Sequence, residues 1–584
     1  MTPLFPQQNG YRQRHDLSGF WDFCFDADDR GVERGFPAGL RRAGAEGIRP
    51  IAVPASYNDQ FEDGRDYLGP VWYERAFDLP WGWSGRRVLL RFGSVNYHAT
   101  VWLNGERLGE HEGGHLPFVL DATRSVRAES NLLVVRAEGE LRPDRVPPGN
   151  VPRNPADGFA NSQYPDGAFD FFPYAGIQRP VLLFTLPDEA ILDVTATTAR
   201  SAESTRLRLD VRAEADGRRV RAMLRGYGAE ANQEATIRGG RAELELDVPN
   251  ARLWAPGDPS LYELAVELVD GDTAVDRVSL AVGLRTVRVD QTRLLVNDRP
   301  VYLRGFGRHE DFPIAGRGLV PPVVVKDYAL MRWVGANSFR TTHYPYSDEM
   351  LDLADRLGFL VISETPAVGL FFEARGLERR LALCRAFTRE LVLRDKNHPS
   401  VVAWSLANEP HSQRPEARGF FADLIGLTRE LDATRPVTLV SYVGREETSF
   451  ELCDFVCVNR YNGWYTQSGR IAEGMKLLSE DLDRIHARYK KPILLSEFGA
   501  DAVPGTHAEP PEMFTEEYQA EMIASVVALL REKPYVLGEH VWNLADFKTG
   551  QAIHRVGGIN YKGVFTRDRH PKQAARVLRA LWTA

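Results

Sequence analysis

From about residue 288 the chain alternates short apolar runs with amphipathic stretches of helical period, and this alternation restricts the fold more than any other feature. TyrLeuArgGlyPhe (302–306) precedes LysAspTyrAlaLeuMetArgTrpVal (326–334), and AsnSerPheArgThr (337–341) precedes AspGluMetLeuAspLeuAlaAspArg (348–356). LeuValIleSerGlu (360–364) precedes a helix running through Leu393. Further strand candidates fall at 401–407, 437–442, 455–459, 492–496 and 536–541, with a last helix near 571–582. Parallel strands need a crossover, usually helical, so this rhythm implies a parallel sheet covered by helices. Eight strand–helix units in about three hundred residues fit a closed (β/α)8 TIM barrel over 288–584. A doubly wound open sheet is the alternative, but the Gly-rich phosphate loop after its first strand is missing.

The preceding half follows a period of two. ArgValLeuLeuArgPhe (87–92), AlaThrValTrpLeuAsn (99–104) and AsnLeuLeuValValArg (131–136) are separated by Gly, Asn, Asp and Pro turns, which predicts a jelly-roll β-sandwich over 1–185. Residues 186–287 repeat the style at 206–212, 242–248 and 261–268. About a hundred residues in some seven short strands suit an immunoglobulin-like β-sandwich.

Charge and cysteine content exclude several functions. The net charge of −8 is interspersed along the chain, unlike the basic footprint of a nucleic-acid binder. No apolar run approaches the roughly 18 to 20 residues of a membrane span. The N-terminus lacks the charged, apolar and small-residue sections of a secretory signal, so a cytoplasmic protein is expected, with neither nucleic acid nor membrane as partner. Cys24, Cys384, Cys453 and Cys457 form no disulfide framework. The Cys453/Cys457 pair lacks a second pair or nearby His and flanks an apolar run, so it reads as small buried thiols rather than a metal site.

Two carboxylates close apolar runs: Glu409 ends ValValAlaTrpSerLeuAlaAsnGluPro (401–410), and Glu497 ends ProIleLeuLeuSerGluPheGly (492–499). In a barrel these are the C-terminal ends of strands four and seven, which face each other across the mouth where barrel chemistry resides. Glycoside cleavage uses such a pair, one acid to protonate the leaving oxygen and one to attack or stabilise the sugar carbon. A separation of about 5 to 5.5 Å implies retention of configuration, and about 6.5 to 9.5 Å implies inversion. Taken singly, each candidate has a plainer reading: a Glu in AsnGluPro caps a turn, Arg340 pairs at a surface, His343 is a structural imidazole, and Lys562 is solvated. Their occurrence together, in order and at strand ends, favours chemistry.

DKNHPSVVAWSLANE (395–409), NSFRTTHYP (337–345) and SEFG (496–499) resemble signature segments of glycoside hydrolase family 2. The resemblance implies a retaining enzyme with Glu409 as general acid/base and Glu497 as nucleophile, needing no metal or other cofactor. Positive charge from Arg340 would keep Glu497 ionised, and Tyr461 could donate to its other oxygen. Asn408 can bond the sugar's 2-hydroxyl, a contact that strengthens in the transition state. HisGlu at 309–310 lacks the second His of a zinc protease motif.

Within that family the chain resembles the β-glucuronidases along nearly its whole length, in VWLNGERLGEHEGGHLPFVLD (101–121), FDFFPYAGIQRPV (169–181), FGRHED (306–311), HYPYSDEMLDLAD (343–355), VNRYNGWY (458–465), WNLADF (542–547) and RVGGINYKGVFTRDRHPK (555–572). A glucuronide carries a carboxylate at C5, so the resemblance implies that Asn560 and Lys562 grip it with Arg555 as helper. It further implies that Asp170 and His309 bind a ring hydroxyl, that Tyr465 and Trp542 wall the pocket, and that Asn459 orients groups around Tyr461. Ile559, inserted before Asn560, leaves the C4 epimer open, so the runner-up is a β-galacturonidase, followed by a neutral-sugar β-galactosidase of the same family. The class-level rival is a carbohydrate-binding protein without catalysis. A short connection at 364–378 suggests an open entrance that accepts oligosaccharide ends as well as small glucuronides. Assembly into a homo-oligomer is expected by the same resemblance.

Overall fold

The computed structural model describes residues 3–151, 163–201, 204–372 and 376–583, and its C-terminal part closes eight parallel strands into a barrel. These are β1 (Leu303–Arg308), β2 (Ser338–Thr341), β3 (Leu360–Glu364), β4 (Val401–Asn408), β5 (Val437–Ser441), β6 (Val456–Asn459), β7 (Ile493–Glu497) and β8 (Val536–Val541). Every residue of β4 and β8 is buried, as expected for strands covered by helices outside and side chains inside. That double burial is why these runs read as continuously apolar.

The surrounding helices are α1 (Pro321–Val334), α2 (Asp348–Leu357), α3 (Leu377–Asp395), α4 (Pro415–Leu431), α5 (Ile471–Tyr489), α6 (Glu516–Arg531) and α7 (Gln573–Thr583). The hydroxyl of Ser347 accepts a bond from the Met350 amide at 3.2 Å and caps α2, with Asp348 and Glu349 favourably placed in its first turn. Gly358, at φ 75°, ends the same helix in a left-handed conformation that glycine adopts without penalty. Eight strand–helix units were expected, but β5 and β6 are joined by two short 3-10 turns, Gly444–Glu446 and Thr448–Glu451, instead of an α-helix. Residues 442–455 make the crossover through these turns, and the buried Phe450 packs into the barrel's apolar core there.

The first sandwich packs a six-stranded sheet on a four-stranded one. The strands at Arg87–Phe92, His98–Leu103 and Asn131–Glu138 fall where the alternating pattern put them. The second sandwich has sheets of three and four strands, the seven of an immunoglobulin-like domain. A small meander (Val287–Val289, Leu294–Val296, Arg299–Val301) then shares a core with Leu303, Leu360 and Leu494, sealing the barrel from below. No helix among the described residues is long and apolar enough to cross a membrane.

The first sandwich docks against the mouth of the barrel. Asp59 accepts bonds from Lys548 at 2.6 Å and Arg567 at 2.8 Å, and Arg179 donates to Glu310 at 3.0 Å. Phe169 and Phe171, from the sandwich, belong to the barrel's own apolar core. Gly369, at φ 61°, lies so close that an added Cβ would sit 2.0 Å from the Ala168 carbonyl oxygen. The connection after β3 therefore tucks beneath the sandwich, with Phe371 and Phe372 buried. Residues 373–375 of that connection, on which the expected open entrance partly rests, lie outside the described residues.

His398, just before β4, bonds Asp355 of α2 at 2.6 Å, and this carboxylate pushes the imidazole up to about 9 against the opposing effect of burial. A histidine whose folded pKa is raised stabilises fully below its unfolded value and loses that contribution as pH climbs through the folded one. Unfolding free energy should fall by roughly 3 kcal/mol between about pH 6.5 and 9. Urea titrations across that range should show a shallower decline for His398→Gln; identical slopes would dismiss the assignment.

Candidate active site

Both strand-end carboxylates follow an irregularity in the ladder. β4 pairs with β5 through Ser405–Thr438 and then Asn408–Val440, so the register slips just before Glu409. β6 pairs with β7 through Val458–Leu495 and then Asn459–Glu497, a slip immediately before Glu497. Such bulges bend a strand and re-aim the side chain that follows. Glu409 also carries φ 48°, rare for a residue with a side chain, held by its amide's 2.9 Å bond to the Val440 carbonyl. Both carboxyls face one cavity of about 1350 Å³, also lined by Asp170, Asn408, Tyr461, Tyr465, Trp542, Arg555 and Asn560.

Arg340 lies beneath the floor and is fully buried. An unpaired guanidinium there would cost several kcal/mol, so its partners define the floor. Nη1 donates to both Glu364 oxygens (2.7 and 2.8 Å) and to Asn408 Oδ1 (3.2 Å), while Nη2 donates to Glu497 Oε1. Tyr461 donates to the other Glu497 oxygen at 2.7 Å. Asn459 bridges the strands: its Nδ2 donates to Glu409 at 2.8 Å and to Asn408 at 3.3 Å, and its Oδ1 accepts from Ser496 at 2.9 Å.

Burial pushes Glu497 up to about 8; Arg340 opposes this and Glu409 reinforces it. Burial also raises Glu409, where Asn459 is the strongest opposing influence. Two carboxylates sharing a desolvated space titrate as a pair, and one proton suffices to relieve their repulsion. Hydrogen-bond donors decide where it sits. Glu497 faces a guanidinium and a phenol, donors that favour its ionised form, whereas Glu409 faces a neutral amide. His343 bonds Glu364 at 2.9 Å, but burial lowers its pKa to about 4 and keeps the imidazole neutral.

The far wall of the cavity is ionic. Arg555 donates to Asp170 through Nε (3.0 Å) and Nη2, and to the Tyr465 hydroxyl at 3.0 Å. Asn560 donates to Asp170 at 2.9 Å. Lys562 lies one layer behind: its ammonium, 1% exposed, bonds Asp501 and, at 2.9 Å, the Tyr465 hydroxyl. Ile559 pairs with Lys548 in a two-residue strand that sets Asn560 opposite Phe547. His309 is buried against Phe171, Trp542 and Phe547, with Nδ1 3.1 Å from the Tyr344 hydroxyl, and is absent from the residues lining the cavity.

Two residues of this network went unremarked in the sequence. Glu364 ends β3 as Glu409 and Glu497 end their runs, so the same signal was present three times. Asp501 follows Glu497 by one loop turn and carries no signal of its own, since its role comes from meeting Lys562 and Arg555 on a distant loop.

A barrel with two facing carboxyls at its mouth and two sandwiches ahead of it is the architecture of a glycoside-cleaving enzyme. Models of glycosyl hydrolases family 2 match the chain as the sugar binding domain over residues 14–187, the family 2 domain over 180–285 and the TIM barrel domain over 287–584. It is 41% identical to a β-glucuronidase of Paenibacillus borealis, across 99% of this chain and 98% of that one. It also resembles the crystallised β-glucuronidase of Ruminococcus gnavus in complex with D-glucuronic acid (TM-score 0.92, 37% identity, 100% of this chain and 99% of that one). The complex of that protein with D-glucaro-d-lactam compares equally well (TM-score 0.92, 37% identity, the same coverage). The chain belongs to glycosyl hydrolase family 2 and is a glycoside hydrolase.

Replacing Glu364 by Gln deprives the buried Arg340 of one of its two carboxylates. Breaking such a pair should cost about 3 kcal/mol of stability. A lower urea midpoint with unchanged slope would register it, and an unmoved midpoint would deny Glu364 this role.

Proposed function

We propose that the protein hydrolyses terminal β-D-glucuronides with retention of configuration. Glu497 attacks the anomeric carbon while Glu409 gives its proton to the glycosidic oxygen, releasing the aglycone and leaving a glycosyl ester on Glu497. Glu409, now a base, takes a proton from water, whose oxygen displaces Glu497 and regenerates both groups. Arg340 and Tyr461 hold Glu497 in its ionised form and aim it, and Asn408 meets the 2-hydroxyl.

The observation that carries the choice of sugar is the ionic wall. Arg555 and Asn560 open onto the same cavity as the two acids, with Lys562 adding positive charge from behind. Each charge-assisted bond to a uronate would contribute about 1.5–3 kcal/mol, which separates a glucuronide from a neutral glycoside by orders of magnitude. The names of the relatives support the gluco configuration. At about 1350 Å³ the cavity exceeds the usual small-ligand range of roughly 300–1000 Å³, leaving room for an oligosaccharide aglycone. The reading includes cytoplasmic location and assembly into a homo-oligomer; light scattering on the purified protein would test the assembly.

Hydrolysis of nitrophenyl β-glucuronide, β-galacturonide and β-galactoside should proceed in that order of kcat/KM, and a preference for either of the others would replace this reading. Glu497→Ala should abolish turnover with the fold intact by circular dichroism; an active variant would refute the nucleophile. Glu409→Gln should lower kcat by about a hundred- to ten-thousandfold for poor leaving groups, and much less for activated aryl ones. Equal losses for both kinds of leaving group would remove Glu409 from the proton-transfer role.

A further inference from the structure

We propose that Glu447 is a positioning residue that holds the turn behind Glu409 in the shape its proton transfer needs. This rests on the reading of Glu409 as acid/base above. Glu447 comes from the short turns that stand in for a helix between β5 and β6, and it is fully buried. Its Oε2 accepts from the hydroxyl of Ser412, in the turn after Glu409, and at 2.9 Å from that of Ser441, the last residue of β5. Its Oε1 accepts from the Ser449 amide at 2.9 Å. The Glu447 carbonyl takes a 2.7 Å bond from the hydroxyl of Tyr489, the last residue of α5, which anchors the backbone behind the carboxylate.

The backbone of Glu409 explains the need for such a clamp. Its φ of 48° is a conformation that persists only where the surroundings over-determine it. Ahead of the side chain, the Glu409 amide is tied to the Val440 carbonyl of β5 at 2.9 Å. Behind it the chain turns at once: the Ser412 amide bonds the Pro410 carbonyl at 2.7 Å, and the His411 amide bonds the Leu370 carbonyl at 2.7 Å. These bonds close the turn and tie it to the connection after β3. Past Glu409 the tie to β5 comes from Glu447, because one of its oxygens holds Ser412 and Ser441 together. The Ser412 hydroxyl also lies 3.2 Å from the Pro410 carbonyl, but its single proton goes to the stronger acceptor, the carboxylate. The plainer view is that Glu447 only caps the turn Thr448–Glu451. Capping uses one oxygen and one amide, and a serine or asparagine would serve it without burying a carboxyl group. It leaves the second oxygen, shared between the ends of β4 and β5, without a purpose.

The test measures kcat/KM, which reports cleavage of the glycosidic bond, for phenyl and dinitrophenyl β-glucuronides with full-length wild type, Glu447→Gln, Ser412→Ala and Glu409→Gln. A phenolate leaving group depends on the proton of Glu409 far more than a dinitrophenolate does. A displaced acid should therefore lower kcat/KM for the phenyl glucuronide by about tenfold or more in both Glu447→Gln and Ser412→Ala, and by less than about threefold for the dinitrophenyl one. A carboxylate that only supports the fold would lower both in equal proportion, through the fraction of folded enzyme, so equal losses or no losses overturn the proposal. Ser412→Ala removes one hydroxyl and leaves the bond to the Ser449 amide in place, which keeps the test decisive if Glu447→Gln does not fold. Glu409→Gln separates the two readings. If it shows no split between the substrates, the acid/base assignment falls and this inference with it; if it does and the other variants do not, only the positioning role is lost.

Discussion

Arg340 sets the terms for the barrel mouth. A guanidinium with no exposed surface cannot be hydrated, so the protein must surround it with acceptors, and those acceptors come from the ends of separate strands. Glu364 from β3, Asn408 from β4 and Glu497 from β7 all turn toward this one cation, which β2 delivers. Charge compensation thereby fixes the directions of side chains that line the cavity. Preorganised, water-poor electrostatics of this kind are worth more to a transition state than the same contacts in solvent.

The barrel was legible because its strands are buried on both faces. That condition writes continuous apolar runs, as in β4 and β8, and spaces them with helices whose caps are as recognisable as Ser347 and Gly358. The same reasoning overestimated the helices by one, since apolar periodicity does not reveal that the β5–β6 return closes with short turns and a buried Phe450. At the site, strand-end position located Glu409, Glu497, Arg340 and Tyr461, because distance along a strand translates directly into height in the barrel. Glu364 satisfied that rule too and was read only as the end of a strand.

Depth in the wall was not legible. Lys562 sits behind Tyr465 while Arg555 and Asn560 face the cavity, and His309 lies under aromatic rings. These placements depend on how the loops after β6, β7 and β8 pack against each other and against the sandwich. Contacts of that kind join residues hundreds of positions apart, as the bonds of Arg555 to Asp170 and of Arg567 to Asp59 do. A motif names the residues that such a wall contains, and only packing decides which of them reaches the cavity.

The crossing of Ala168 over Gly369 makes the boundary between sandwich and barrel part of the cleft itself. The barrel is thus no self-sufficient module to be transplanted onto another partner, since part of its cleft wall is inherited from a neighbour with a separate core. Chimaeras cut between the two would inherit only part of the cleft wall.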